Sequence, residues 1–267
     1  MQRVLVIMLL WAAVVWGGCS RSDSGRQEVR DWAAIKASGV LRWGADEAGG
    51  APYEFRNPKN PDERIGFEVE IAEEIGRRLG LRIEFVQTNW AQLLPALDIG
   101  NFDMAMSGIE ITPDRREAVD FTRPYYIFAQ QLVVRAGETD IRTLDDCRGR
   151  KVGTLGASAA ERVLVAHGGI EVLPYEDNVT PYQDLEIGRL DAVLLDLPIA
   201  IYHAKPNEKL QFSGAPFAEG EYAIAVNKKS AGLREQLDRV LGEMIEDGTL
   251  KKILTKWELW NDSQGRL

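Results

Sequence analysis

The chain has 267 residues, 45% of them hydrophobic and 27% charged, with a formal net charge of −9, two cysteines and two histidines. That is enough chain for two domains of ~100–200 residues each, and its acidity, with no basic stripe interleaved with aromatics, argues against nucleic acid as a partner. Two cysteines and two separated histidines supply neither a disulfide framework nor metal-ligand spacing. No P-loop, G-x-G-x-x-G or G-x-S-x-G elbow occurs either, so no cofactor is expected.

The first segment reads as an export signal. Arg3 supplies a positive n-region, Val4–Trp16 an apolar run, and Gly17-Gly18 precede Cys19. The run falls short of the roughly 20 residues a spanning helix needs. Small residues before Cys19 suit processing there, with the thiol accepting a lipid. Residues 1–18 are then a signal peptide, and Cys19 anchors an exported protein to a membrane, in the periplasm or at the cell surface. Ser20–Arg30 is polar, and residues 19–39 as a whole are expected to form a tether.

From Val40 onward, strand and helix patterns alternate, the mark of an α/β fold with largely parallel sheets. Val40–Trp43 is a short apolar strand. Glu68–Leu79 places Ile71, Ile75 and Leu79 on one helical face and stops at Gly80. Leu81, Ile83 and Phe85 alternate as a strand, and Asn89 is placed to cap a helix carrying Trp90, Leu93, Leu94 and Leu97. Phe102, Met104 and Met106 form the next strand, and Thr112-Pro113 starts a helix. The pattern then begins again. Strands are expected at Gln131–Arg135, Lys151–Leu155, Glu171–Tyr175, Asp191–Leu195 and Tyr222–Val226. Helices are expected at Ala157–Ala166 and Pro181–Ile187, and a short one opens at Thr143, with Cys147 as a small buried hydrophobe at its apolar end. Leu233, Leu237, Val240, Leu241, Met244 and Ile245 make an amphipathic helix, and Gly248 separates it from a last one bearing Leu250, Ile253, Leu254 and Trp257.

Several of these segments, in order, carry a resemblance. IGFEVEIAEEIGRRLG and NWAQLLPALDIGNFDMAMSGIEITPDRREAVDFTRPYY are followed by RGRKVGTLG, YEDNVTPYQDLEIGRLDAVLLD, YAIAVNK and EMIEDGTLKKILTKW. Together they resemble the extracellular solute-binding proteins, family 3, of polar amino-acid ABC importers. The resemblance implies a periplasmic-binding-protein-like fold of type II, two α/β lobes joined by two crossover strands with the ligand in the cleft. By that analogy lobe 1 is discontinuous, about 40–128 plus 222–257, lobe 2 is about 129–221, and 258–267 is a C-terminal tail. The partners it implies are an amino-acid ligand and ABC permease subunits, with the binding protein itself a monomer.

A zwitterionic ligand needs an arginine fork and backbone N–H groups for its carboxylate, and a carboxylate for its ammonium. The resemblance assigns these to Arg115 in ITPDRR and to Asp196 in LLDLP. Arg116 is expected in solvent, since adjacent helical positions point apart. Asp196 also stands where it would cap the following helix. Ser107 and Gly108 are assigned to the ammonium, and Ser158 with the Ala159 N–H, at a helix N-terminus, to the carboxylate.

The departures from the family are informative. Glu110 stands where relatives commonly have Ser or Thr. It either neutralises Arg115, clamps a cationic group of the ligand, or turns to solvent. Gly50 stands where many relatives place a stacking aromatic, so Tyr53 or Trp90 is left to form that wall, and Asp46 is a further side-chain contact. Three acids (Asp46, Glu110, Asp196) against one Arg115 favour a polar or cationic amino acid over an acidic one. Two other functions stay open. Cyclohexadienyl dehydratases share the fold, with Glu110 as a candidate general acid, and related domains serve as sensors, here one that would depend on a partner.

Overall fold

The computed structural model describes residues 28–47 and 50–267. The expected signal peptide and Cys19 lie outside the described residues. Helix α1 (Trp32–Ser38) leads into strand β1 (Val40–Ala45), followed by a small hairpin of β2 (Phe55–Asn57) and β3 (Asn60–Ile65). Next come α2 (Phe67–Leu79), β4 (Arg82–Gln87), α3 (Leu93–Asp98), β5 (Met104–Ala105) and α4 (Pro113–Ala118), before the long strand β6 (Asp120–Arg135). The second half holds β7 (Lys151–Leu155), α5 (Ala159–His167), β8 (Glu171–Tyr175), α6 (Thr180–Glu186), β9 (Ala192–Asp196) and α7 (Leu197–His203). The second long strand, β10 (Leu210–Val226), then returns, and α8 (Ala231–Glu246) and α9 (Thr249–Lys256) complete the helices.

The main sheet has the order β4-β1-β5-β10-β6-β9-β7-β8. β10 and β6 pair antiparallel from Leu210↔Arg135 to Val226↔Asp120 and run through both halves. On one side the parallel strands β4, β1 and β5 attach at Ala225 and Val226 of β10. On the other, β9 attaches to residues 130–134 of β6 and carries the parallel β7 and β8. The result is two α/β lobes joined by two strands, the type II binding-protein fold.

Local chemistry explains the elements. α2 buries Phe67, Ile71, Ala72 and Ile75 completely and ends at Gly80, whose φ of 68° suits a residue without Cβ. Burial of each larger side chain is worth about 1.5–3 kcal/mol. All five residues of β9 are buried, as expected for a strand covered on both faces. Of the buried polar residues on β6 and β10, Gln130 and Tyr222 serve the cleft described below, while Thr122, Gln131 and Ser213 bond to backbone carbonyls. Cys147 lies in a 3-10 turn, Asp145–Cys147, fully buried beside Ile141, Val152 and Leu164, and burial pushes its thiol up to about 11. It is the free cysteine among the described residues.

Some expectations need correction. Residues 31–39 do not extend the tether. Asp31 caps α1 through the Ala34 N–H at 2.8 Å, Ile35 is fully buried, and Arg30 is paired with Asp103. Asn89 makes no side-chain cap; Trp90–Gln92 is a 3-10 turn and α3 starts only at Leu93. Ladder pairing of β5 stops at Ala105, although the Met106 N–H still reaches the Gly44 carbonyl at 3.2 Å. β6 and β10 are far longer than periodicity suggested, because Pro124, Gly214, Pro216 and Gly220 interrupt their apolar pattern while each strand supplies the other's pairing. The chain end is also docked, with Gln264 buried against both backbone groups of Ile127 at 2.9 and 2.8 Å.

Candidate ligand-binding site

The carboxyl ends of β1, β5, β7, β8 and β9 face one another across the junction of the lobes, the position where open α/β sheets bind ligands. The small cleft there is lined by Asp46, Tyr53, Trp90, Ser107, Gly108 and Glu110 from lobe 1, and from lobe 2 by residues that include Ser158 and Asp196. Most residues singled out from the sequence are thus brought together. Asp46 is not idle: its carboxylate accepts from Gln87 Nε2 and from the Trp90 N–H, both at 2.8 Å, so it positions the Trp90 wall. Gly50 cannot carry a side chain, because a Cβ would lie 2.3 Å from the Glu54 carbonyl oxygen and 2.5 Å from that of Asp46.

Behind the lobe 1 wall lies a buried acid pair. Ser107 Oγ donates to Glu54, while Glu68 accepts from the Gly108 N–H at 2.7 Å and from the Tyr125 hydroxyl. Burial, then the neighbouring Glu68 charge, drives the Glu54 carboxyl well above its usual range. Burial raises Glu68 to about 7, against the pull of the Tyr125, Gly108 and Glu54 donors. Glu54, with fewer donors, is the member that keeps its proton. Gly108 has φ 63°, and a Cβ on it would come within 2.9 Å of the Tyr53 ring, so this turn tolerates no side chain either.

On the lobe 2 side Asp196 ends β9 and starts α7, but its side chain makes no cap bond. It instead accepts from Gln130 Nε2 at 2.6 Å and from the Tyr222 hydroxyl. Since the Tyr222 proton is committed there, Tyr53, 2.9 Å away, donates to Tyr222. Burial first, and the charge of Glu110 second, raise Asp196 to about 7. Ser158 caps α5, accepting from the Glu161 N–H at 3.2 Å and donating to the Leu155 carbonyl at 2.7 Å. Its hydroxyl is therefore occupied by its own helix and by the end of β7.

Glu110 is 3% exposed and faces inward, not to solvent. One oxygen pairs with Arg115 Nη1 and the other accepts from the Ala159 N–H at 2.8 Å, so a lobe 1 carboxylate sits on the N-terminus of a lobe 2 helix. Arg115 also donates to the carbonyls of Glu110 at 3.0 Å and Ala157 at 3.3 Å, and its guanidinium lies 5.2 Å from the Trp90 ring centroid. Arg115 lines an adjoining rim cavity with Trp90 and Ala157, behind Glu110, and Arg116 is exposed. The α4 start is as expected, with Thr112 Oγ1 accepting from the Arg115 N–H and Pro113 in the first turn.

Sequence reasoning passed over Glu54, Glu68, Gln130 and Tyr222, and over Glu176 and Asp177, which line the cleft from the end of β8. One signal was present: Glu68 falls on the face of α2 that otherwise holds Phe67, Ile71 and Ile75. Among the described residues no cluster of His, Cys, Asp and Glu is arranged to hold a metal. Nor is any described helix long and apolar enough to cross a membrane.

Two lobes, a strand-end cleft and a ring of polar and aromatic side chains define the class of two-lobed solute-binding proteins. The chain matches the family of bacterial extracellular solute-binding proteins, family 3, over residues 41–259, and belongs to it. It is 34% identical over 226 residues to the L-cystine-binding protein TcyJ of Escherichia coli (strain K12), covering 84% of each chain. An ancestral arginine-binding protein solved bound to arginine superposes with a TM-score of 0.76 at 33% identity, covering 82% of this chain and 98% of that one. The ancestral amino acid-binding protein AncCDT-1, a precursor of cyclohexadienyl dehydratase, gives 0.78 at 30% identity, covering 84% and 97%.

Proposed function

We propose that the chain is the substrate-binding lipoprotein of an amino-acid ABC importer, exported and held at a membrane through Cys19, which captures a polar or cationic amino acid in the cleft and delivers it to the permease. The observation that carries the ligand class is the charge of the lining. Asp46, Glu110, Glu176, Asp177 and Asp196 face the cleft, and no lysine or arginine is among the described residues that line it. An acidic side chain would enter against that field at a cost of several kcal/mol unless paired.

In this reading Asp196 takes the ligand's ammonium with help from Ser107 and the Gly108 turn, and Trp90 and Tyr53 form the walls. Arg115 and the Ala159 N–H, with Ser158 beside them, make the carboxylate end once the ligand displaces Glu110 from them. The lobes, about 40–128 with 222–257 and about 129–221, hinge about β6 and β10, and a monomer presents the closed form to the permease. Support comes from the family, from relatives whose names state cystine and arginine binding, and from the lining. The test is calorimetry of the purified protein against a panel of amino acids, together with mass spectrometry of any small molecule released on denaturation. Tightest binding of glutamate or aspartate would overturn the ligand class.

A dehydratase reading has the AncCDT-1 likeness in its favour. Against it, both Glu110 oxygens accept from N–H donors, which leaves neither to carry a proton to a substrate. Turnover of prephenate or arogenate, lost in Glu110→Gln, would restore it.

A further inference from the structure

The two donors best suited to an α-carboxylate, the Arg115 fork and the α5 N-terminus, are both engaged by one side chain of this chain. Glu110 Oε2 meets Arg115 Nη1, Oε1 meets the Ala159 N–H at 2.8 Å, and the group is almost fully enclosed. The remaining hydrogen bonds of the arginine go to backbone carbonyls, of Glu110 itself and of Ala157. The position is not slack. The backbone around Glu110 is tied to β10, with the Ile111 N–H 2.9 Å from the Glu221 carbonyl and the Ala223 N–H 3.2 Å from that of Ile109. Glu110 also forms a bridge with Tyr222. The side chain therefore starts from a fixed point aimed across the cleft.

We propose that Glu110 is a specificity-determining residue that acts as an internal competitor for the ligand carboxylate and so tilts the cleft toward organic cations that lack one. An incoming carboxylate must either evict Glu110 or share Arg115 with it, and the charged groups in the rest of the lining, Asp46, Glu176, Asp177 and Asp196, are all acids. An amine or guanidine without a carboxylate incurs neither cost and leaves the Glu110–Arg115–Ala159 contacts, which bridge the lobes, in place. The inference rests on the binding site assigned above and revises its preferred ligand: the cationic end of the ligand is read, and the carboxylate end is supplied by the protein.

The test pairs each amino acid with its decarboxylated counterpart: arginine with agmatine, lysine with cadaverine, cystine with cystamine. Binding is measured by calorimetry on the wild type, on Glu110→Thr and on Glu110→Gln, and the tightest-binding pair decides. In the wild type the amine is expected to bind as tightly as its parent or more so. In Glu110→Thr the amino acid should gain at least tenfold relative to the amine, with Glu110→Gln moving the ratio in the same direction. A wild-type preference for the amino acid of more than tenfold, or a ratio unchanged by the substitutions, would overturn the proposal while leaving the amino-acid reading standing. The wild-type comparison needs no variant to fold. Failure of every amino acid and amine to bind any of the three proteins would overturn the amino-acid reading itself, and this inference with it.

Discussion

Gln130 and Asp196 face each other on paired strands, with the amide Nε2 2.6 Å from the carboxylate Oδ1. This contact, with the Tyr222 hydroxyl on the other oxygen, aims the Asp196 carboxylate from the two strands that join the lobes. Asp196→Asn retains the shape and removes the charge. It is expected to weaken binding of a cationic ligand by at least tenfold, with an unchanged circular dichroism spectrum; undiminished affinity by calorimetry would remove Asp196 from the site. A charge-assisted hydrogen bond is roughly twice as strong as a neutral one, which sets that scale.

The buried acids give the protein an unusual pH dependence. Asp196 is raised from 3.8 to about 7, Glu68 from 4.5 to about 7, and Glu54 well above its usual range. Between about pH 4 and pH 7 the folded chain holds protons that the unfolded chain has released, so the contribution of these groups to stability falls as pH rises. The carboxylates held low by their partners, such as Glu74 and Asp247 at about 2, titrate below that window. Ligand-free protein should thus melt at a higher temperature at pH 5 than at pH 8, and Glu54→Gln should flatten the difference. Binding of a cation against Asp196 should release protons near pH 6, which calorimetry in buffers of different ionisation enthalpy will detect.

Arg115→Ala is expected to do two things. It removes a donor from the carboxylate end of the site, and it strands the Glu110 carboxylate, which is 3% exposed. Breaking one side of a buried ion pair costs about 3 kcal/mol, so chemical denaturation should show a loss of that order. Amino-acid binding should become undetectable. Wild-type-like affinity in a folded variant would eliminate Arg115 from recognition.

Gly50→Ala addresses the missing aromatic. With two carbonyl oxygens at 2.3 and 2.5 Å from the new Cβ, the backbone beside Asp46 must move. Overpacking of this kind costs about 1–3 kcal/mol. A lower melting temperature and weaker ligand binding are expected; a neutral substitution would show that the segment yields freely.

These results separate what was legible in the sequence from what was not. β7 and β8 matched at both ends and α8 and α9 closely, the two helices because their apolar residues recur at helical spacing on either side of Gly248. α1 escaped notice because its single fully buried side chain, Ile35, leaves no period to read. In the site, the gathering of Ser107, Glu110, Ser158 and Asp196 was implied by the family resemblance, with Asp196 also standing at the carboxyl end of an expected strand. The engagement of Glu110 with both Arg115 and Ala159 was not, since it depends on how one lobe is set against the other. Tyr222 and Gln130 lie within strands whose sequence looks like ordinary core, and their polar atoms acquire meaning only from the partner strand.

The sealed thiol of Cys147 has a practical corollary. A side chain with no exposed surface and a thiol held at about 11 will be silent toward maleimide dyes at neutral pH. Residues 28–267 therefore offer a background-free frame for a single introduced cysteine on the exposed surface of α4, at Asp114 for instance. A fluorophore attached there would turn any approach of the two lobes into an optical signal, and this solute-binding protein into a reagentless sensor for its own ligand.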